Sequence, residues 1–237
     1  MIEVVKSTDR GKTLMGWLES YHSFSFNRHY DPDNVQFGPL RVLNDDKVQP
    51  DAGFSMHPHD NMEIVTIIIK GALEHQDSMG TKEVIRENEV QRMTAGSGIM
   101  HSEYNPSNTE LVHLLQIWFI PNKRSLTPSY DQKKFSPELR KNKWLKIVDG
   151  ENINGIISIN QDAKIFLSDL QKGNELSYPA SNGRGLYLYL IDGNIKINDM
   201  LLNTGDAVKI SDEEELRVSA QQDSNLVLFD VNLYYNS

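Results

Sequence analysis

The sequence predicts an all-β protein built from two halves. Short segments rich in β-branched and aromatic residues recur along the 237 residues, and Gly, Pro and Asn-Asp pairs separate them. Strands at such close spacing, with turn signals between them, are typical of a sandwich or barrel. Long apolar patterns of helical period are missing, and the best helix candidate, residues 133–144, is weak.

The predicted strands fall into two groups along the chain. The first group covers residues 40–43, 64–69 and 111–120, and the second covers residues 155–159, 186–191, 194–197, 207–210 and 226–231. Between them, residues 123–146 hold eight of the 24 Lys and Arg residues, in a region interrupted by prolines. This basic region is either a small anion-binding patch or a solvated linker, and charge runs usually serve solubility. We therefore predict domains over residues 1–130 and 131–237.

The two halves share turn chemistry but differ in histidine content. Residues 67–71 and residues 189–193 each carry an apolar strand into a glycine turn, the weak self-similarity that a duplicated barrel leaves. Two unrelated β units with similar turns would look the same. All seven histidines lie at or before His113, so only the first half can hold a His-rich site. The second half is then structural, a lid or an interaction surface.

Composition excludes several classes of function. The chain has no cysteine, so a transition metal must bind through imidazole and carboxylate rather than thiolate. The net charge of −9 argues against general nucleic-acid affinity, which depends on Lys and Arg that neutralise phosphates. No segment reaches the roughly 18 apolar residues of a membrane span, and no secretory signal is visible at the N-terminus. We expect a cytoplasmic protein without membrane or direct nucleic-acid partners.

Two short motifs predict a metal site. In His57-Pro58-His59 the histidines are two residues apart, so on an extended strand both rings point to the same face. His101-Ser102-Glu103 repeats this arrangement with a carboxylate, just after the turn residues Gly96-Ser97-Gly98. Together the motifs offer three imidazoles and one carboxylate for one divalent ion, with positions left open for substrate, water or dioxygen.

The spacing leaves the carboxylate ligand open. Glu63 lies four residues beyond His59 and shares its face if the strand continues, so the pattern alone does not choose between Glu63 and Glu103. His75 and His113 are adjacent to strand residues, and we interpret them as core or surface histidines with satisfied hydrogen bonds.

The motif regions resemble a known family. Residues 53–63, closing at Gly71, look like the first cupin motif, and residues 95–103 look like the second. The motif sequences are similar to those of the pirin family, including its bacterial members: His-Pro-His, then His-Gln-Asp-Ser at residues 75–78, then His-Ser-Glu. The resemblance also includes Trp17, residues 22–26 and residues 40–46. It is specific in sequence over residues 1–130, and beyond them only the architecture is similar.

The resemblance implies both a fold and a ligand set. The fold is two cupin-type jelly-roll β-barrels in tandem, a bicupin, of which the second lacks metal ligands. The ligands are His57, His59, His101 and Glu103, which leaves Glu63 a supporting role.

The chemistry that the resemblance implies is quercetin 2,3-dioxygenation, the opening of a flavonol-like, polyhydroxylated aromatic by O2. Glu103 could take the substrate proton as a general base, either while it binds the metal or when it is briefly detached from it. Five apolar residues near the motifs could wall a flat pocket, although core packing is the more common role of each: Phe24, Phe26, Phe54, Met56 and Trp118. The alternatives are a metal- and redox-sensing regulatory protein with a protein partner, and a scaffold stabilised by a metal without an open site.

The sequence does not determine the metal. Imidazole with carboxylate suits iron, nickel, cobalt, manganese, copper and zinc, and the family resemblance favours Fe(II). The expected small-molecule partners are an aromatic substrate and O2. Two barrels packed on each other make a monomer the expected state.

Overall fold

The computed structural model describes residues 1–235 and is almost entirely β, which confirms the predicted class. Two single-turn 3-10 helices, Ser7–Asp9 and Pro137–Leu139, accompany the strands. Within this part of the chain, no helix has the length and apolar character needed to span a membrane. The strands are, in chain order, β1 (Ile2–Val5), β2 (Gly11–Leu14), β3 (Leu18–His22), β4 (Leu40–Val48), β5 (Gly53–His59), β6 (Glu63–Lys70), β7 (Ala72–Asp77), β8 (Lys82–Arg86), β9 (Glu89–Thr94), β10 (Ile99–Tyr104), β11 (Val112–Phe119), β12 (Ser129–Lys134), β13 (Leu145–Asp149), β14 (Ile157–Ser158), β15 (Ala163–Leu170), β16 (Glu175–Pro179), β17 (Arg184–Asp192), β18 (Asn194–Ile197), β19 (Met200–Asn203), β20 (Ala207–Ile210), β21 (Glu215–Ala220) and β22 (Ser224–Asn232).

The strands form four sheets, two in each of two units. In the first unit, the seven-stranded sheet has the order β12-β9-β6-β11-β4-β3-β2 and the four-stranded sheet the order β5-β10-β7-β8. In the second unit, the orders are β1-β20-β17-β22-β15-β13-β14 and β16-β21-β18-β19. Each unit therefore has one large and one small sheet, as expected for two related barrels.

The apolar residues form a core inside each unit and a third core between the units. Residues of both sheets of the first unit, such as Leu73 and Leu114, pack together, and the second unit has an equivalent cluster around Leu188. The largest cluster joins the two seven-stranded sheets, where Phe119 of β11 packs against Phe229 of β22 with ring centroids 6.4 Å apart. The two units thus share a continuous apolar interface.

This shared interface explains why two predicted strands are apolar at consecutive positions rather than at alternate ones. In β6, Ile68 faces the core of the first unit while Val65 and Ile67 face the second unit. In β17, Leu188 faces the core of its own unit and Tyr189 the interface. A strand with both faces covered is expected to have a near-continuous apolar sequence.

Two features of the chain cross the predicted division at residue 130. β1 pairs with β20 in the second unit, so the first residues of the chain belong to that sheet. β12 pairs with β9 of the first unit and extends to Lys134. The domain boundary stays a prediction. The helix candidate over residues 133–144 is wrong, because β12 occupies its start and only the turn at Pro137–Leu139 is helical.

Candidate metal centre

The two histidine motifs lie on neighbouring strands of the four-stranded sheet in the first unit. His57 and His59 are on β5, while His101 and Glu103 are on β10, with His101 directly opposite His57. The three imidazole rings lie 4.4–4.9 Å apart between centroids. One ligating nitrogen from each ring lies within 4.8 Å of the other two. We call these four residues the His-Glu cluster.

The local backbone places β10 beside β5 through a tight turn and a bulge. Gly96 has φ of +51° and Gly98 has φ of +130°, conformations that favour glycine. A side chain at Gly96 would also collide with the backbone, because an added Cβ would lie 2.0 Å from the Leu126 carbonyl oxygen. A bulge follows between His101 and Glu103 and shifts the register against β5. These features allow both residues of the second motif to be buried in the barrel.

The cluster contains polar atoms that lack partners, which fits a metal ion. His101 is 1% exposed, and neither of its ring nitrogens has a hydrogen-bond partner among the described residues. Glu103 is also buried, at 3% exposed, and its Oε1 atom has no hydrogen-bond partner among the described residues. Buried polar groups of this kind are costly unless something satisfies them. Imidazole nitrogen and carboxylate oxygen are the donors that a divalent transition metal accepts.

The histidines are held in the form that ligates a metal. The Nδ1 atom of His57 donates to the Ser55 carbonyl oxygen at 2.8 Å, which leaves Nε2 with its lone pair free. Burial, with the neighbouring rings, lowers the pKa of His101 to about 3 and that of His59 to about 4. Both imidazoles are therefore neutral near pH 7, as metal binding requires.

Glu103 is oriented from the opposite sheet. The Gln116 side-chain amide on β11 donates to Glu103 Oε2 at 2.9 Å. The Gln116 carbonyl oxygen in turn accepts a hydrogen bond from the Thr66 hydroxyl at 3.2 Å. This relay fixes one carboxylate oxygen and leaves Oε1 directed at no protein donor within residues 1–235.

Glu63 lies outside the cluster and contacts the second unit. It is fully buried, and its Oε2 accepts hydrogen bonds from the Thr94 hydroxyl at 3.1 Å and the Asn160 backbone amide at 3.2 Å. Its Oε1 accepts from the Asn160 side-chain amide at 3.2 Å. Burial raises the pKa of Glu63. Of the two carboxylates that the spacing left open, the geometry brings only Glu103 to a cluster histidine.

His75 lies closer to the site than the sequence indicated. It is fully buried on β7, its Nε2 is 3.2 Å from Asp77, and its ring centroid lies 5.3 Å from that of His101. A ligating atom of His75 comes within 4.8 Å of those of His101 and Glu103. The sequence did contain a signal for this position, because His75 and Asp77 are two residues apart, as are the paired residues of the two motifs. His113, by contrast, bonds Asp45 at 2.7 Å and is satisfied, as expected.

A cavity of about 340 Å³ opens onto the His-Glu cluster. Most of its lining is apolar and includes Trp17, Leu18, Phe26, Phe54, Ile64 and Trp118. Polar side chains from the seven-stranded sheet line it as well, namely Thr13, Ser20, His22, Asn44, Asp46 and Gln116. Burial raises the pKa of Asp46 to about 7. The cavity is therefore amphipathic and suited to a flat organic ligand with polar substituents.

Three of the five proposed wall residues line this cavity. Phe26, Phe54 and Trp118 do so, and the ring of Trp118 lies 4.8 Å from that of His59. Phe24 instead packs in the core between the units against Tyr187, with ring centroids 5.4 Å apart. Met56 lies on the solvent-exposed side of β5 and is 46% exposed. Phe24 therefore packs in the core, which was the more common role expected of it, and Met56 takes neither role.

Two family models match this chain. The model described as Pirin matches residues 4–119, and the model described as Quercetinase C-terminal cupin domain matches residues 147–231. These matches confirm the predicted pair of cupin-type barrels.

Curated relatives and solved structures agree with the family models. Quercetin 2,3-dioxygenase of Escherichia coli strain K12 is 39% identical over 98% of this chain and 99% of its own. A putative quercetin 2,3-dioxygenase of Pasteurella multocida is also 39% identical, over 98% of this chain and 100% of its own. The crystal structure of YhhW from E. coli superposes with a TM-score of 0.94 at 38% identity, covering 100% of both chains. A structure of this bacterial pirin in complex with nickel(II) has a TM-score of 0.93 at 38% identity, covering 98% and 99% of the two chains.

Proposed function

Because this chain belongs to the pirin family, we propose that it is a metal-dependent dioxygenase of the quercetin 2,3-dioxygenase type. Its substrate would be a flavonol-like, polyhydroxylated aromatic that is opened with O2. One observation carries the proposal. The floor of an aromatic-lined cavity presents imidazole and carboxylate atoms that no described protein group satisfies. The relatives named quercetin 2,3-dioxygenase, with which this chain aligns over nearly its whole length, support the same activity.

The four cluster residues are the proposed metal ligands. His57, His59, His101 and Glu103 supply three imidazole nitrogens and one carboxylate oxygen, and a divalent ion held by these four donors would have positions left for a chelating substrate. When bound, a divalent ion would polarise a coordinated hydroxyl and lower its pKa. Fe(II) is the metal that the family resemblance favours, while the nickel(II) complex of the relative shows that a pirin of this kind accepts another divalent ion.

The protein's own groups then orient the substrate and move its proton. Gln116 holds Oε2 of Glu103, so Oε1 would bind the metal and, when briefly detached from it, could accept a hydroxyl proton as general base. The rings of Trp17, Phe54 and Trp118 offer flat apolar surfaces that would hold an aromatic substrate over the cluster and exclude water from it.

The test is aerobic quercetin consumption by protein whose metal content has been quantified. Wild type is compared with His101→Ala, and with His113→Gln as a control that changes a histidine outside the cavity. Turnover should rise with bound metal, disappear in His101→Ala and persist in His113→Gln. Turnover that is unchanged in His101→Ala would refute the proposal. Absence of turnover in fully metal-loaded wild type would favour the regulatory alternative, and the search for a metal-dependent protein partner would follow.

A further inference from the structure

The cavity has one wall that the proposed chemistry at the His-Glu cluster does not use. Polar side chains form a patch on the inner face of three neighbouring strands, β3, β4 and β11. Ser20 is directly opposite Asp46, His22 is opposite Asn44, and Asn44 is opposite Gln116. All five residues line the cavity. Because opposite residues of antiparallel strands lie side by side on one face, these pairs form two adjacent rows, and the row of His22, Asn44 and Gln116 ends at the residue that holds Glu103.

These polar groups are buried where a barrel normally places apolar side chains. Ser20, His22, Asn44 and Asp46 are each 2–3% exposed. His22 is satisfied, since its Nδ1 lies 2.9 Å from Asn44 Oδ1 and its Nε2 bonds the hydroxyl of Thr13 at 2.8 Å. The exception is Asp46, whose Oδ1 has no hydrogen-bond partner among residues 1–235. A buried carboxyl oxygen without a donor is costly, so its presence requires a reason.

A ligand hydroxyl would satisfy this oxygen. Asp46 is two residues along β4 from Asn44, which is opposite Gln116. Strand geometry therefore displaces Asp46 by roughly 7 Å, in the direction of the strands, from the level of Gln116, the residue that holds Glu103. A substrate that chelates at the cluster would reach Asp46 only with a different part of its ring system. The aromatic rings of Trp17, Phe54 and Trp118, which line the same cavity, favour a flat aromatic for that part.

We propose that Asp46 is a specificity-determining residue of this cavity, and that its carboxyl accepts a hydrogen bond from a phenolic hydroxyl on a substrate ring separate from the chelating atoms. The inference rests on the proposed function, because it takes the cavity to be the flavonol-binding site. It narrows the substrate class to aromatics that carry at least one such additional donor.

The experiment compares two ligands that share the chelating atoms and differ in the other hydroxyls. Quercetin and 3-hydroxyflavone both carry the 3-hydroxyl beside the 4-carbonyl, but 3-hydroxyflavone has no further hydroxyl. Their dissociation constants are measured without O2 on the full chain loaded with nickel(II), by quenching of tryptophan fluorescence, to which Trp17 and Trp118 of the cavity contribute. Wild type should bind quercetin about 10-fold more tightly, and Asp46→Ala should reduce that ratio to about one with little change for 3-hydroxyflavone.

Two further variants make the result decisive. Phe54→Leu trims the apolar wall and should weaken both ligands by the same factor, leaving the ratio unchanged. Asp46→Asn keeps the size and an acceptor oxygen, so the ratio should fall only about 3-fold, because only the ionised fraction of the carboxyl, the stronger acceptor, is lost. If Asp46→Ala does not fold, Asp46→Asn decides. A ratio that neither folded Asp46 variant changes overturns this inference while quercetin turnover by wild type still stands. Failure of loaded wild type to bind either ligand overturns the proposed function, and this inference with it.

Discussion

Replacing Glu63 should destabilise the protein without removing its metal. Glu63 follows the first histidine motif closely in sequence, but its carboxylate accepts three hydrogen bonds from Thr94 and Asn160 rather than facing the cluster. In Glu63→Ala, the hydroxyl and both amide donors lose their acceptor inside a fully buried site. Breaking a buried interaction of this kind costs about 3–5 kcal/mol.

The amide variant separates loss of shape from loss of charge. In Glu63→Gln, an oxygen in the Oε2 position still accepts from the Thr94 hydroxyl and the Asn160 backbone amide. In the wild type, the Asn160 side-chain nitrogen lies 3.2 Å from Oε1 and donates to it. In the variant the new amide nitrogen would take the place of Oε1, so this hydrogen bond becomes a contact between two donors. The expected loss is about 1–2 kcal/mol, unless the Asn160 amide rotates to accept.

The assay combines thermal unfolding of metal-free protein with metal quantification after loading and dialysis. For a chain of this size, a loss of 3–5 kcal/mol lowers the melting temperature by roughly 6–20 °C. Glu63→Ala should show this fall and still retain metal at wild-type stoichiometry, whereas Glu103→Gln should lose metal affinity. A Glu63 variant with unchanged melting temperature and lost metal would show that Glu63, not Glu103, is the carboxylate ligand.

Three further predictions concern the support of the site and the fold. Gln116→Leu removes the amide that holds Glu103, so competition with a chelator should show metal affinity reduced roughly 10- to 100-fold; an unchanged affinity would contradict the relay. Burial opposes ionisation of Asp45, but hydrogen bonds from a histidine and a tyrosine outweigh it and lower the pKa below its ordinary value of 3.8. That stabilisation is complete above the unfolded pKa and is lost as pH falls through the folded one, so the melting temperature should decline below about pH 4 and decline less in Asp45→Asn. Gly96→Ala should lower both stability and metal retention because its Cβ meets a backbone oxygen at 2.0 Å, whereas the control Gly155→Ala, with φ of +83° and no atom within 4 Å, should cost only about 1 kcal/mol of backbone strain.

Two of the strands that sequence patterns predicted have apolar side chains on both faces. β6 and β17 have near-continuous apolar sequences, because one face packs inside the strand's own barrel and the other packs on the opposite unit. The strands that carry the site gave no such signal. In β5 and β10 the inward positions hold His and Glu, so hydrophobic periodicity does not mark them, and only the motifs located them.

The Glu63 ambiguity also has a physical cause. Counting residues from His59 assumes a single strand, but β5 ends at His59 and β6 begins at Glu63 in the other sheet. Between them, Asn61 has φ of +45°, a turn conformation that breaks the alternation of faces. The positions of His75 and Asp46 depend on pairing with strands distant in sequence, which spacing along the chain does not encode.

The second unit supports the site although it lacks histidine. Among residues 1–235, the groups of His, Asp and Glu that could share an ion all lie in the first unit. The strands behind that site are nevertheless held by the other unit, since Val65 and Phe119 pack in the shared interface and Glu63 bonds Asn160. β11 also carries Gln116, which orients Glu103. The interface therefore fixes the sheet from which the proposed carboxylate ligand is positioned, so the histidine-free half contributes to the geometry of the site through packing rather than through ligands.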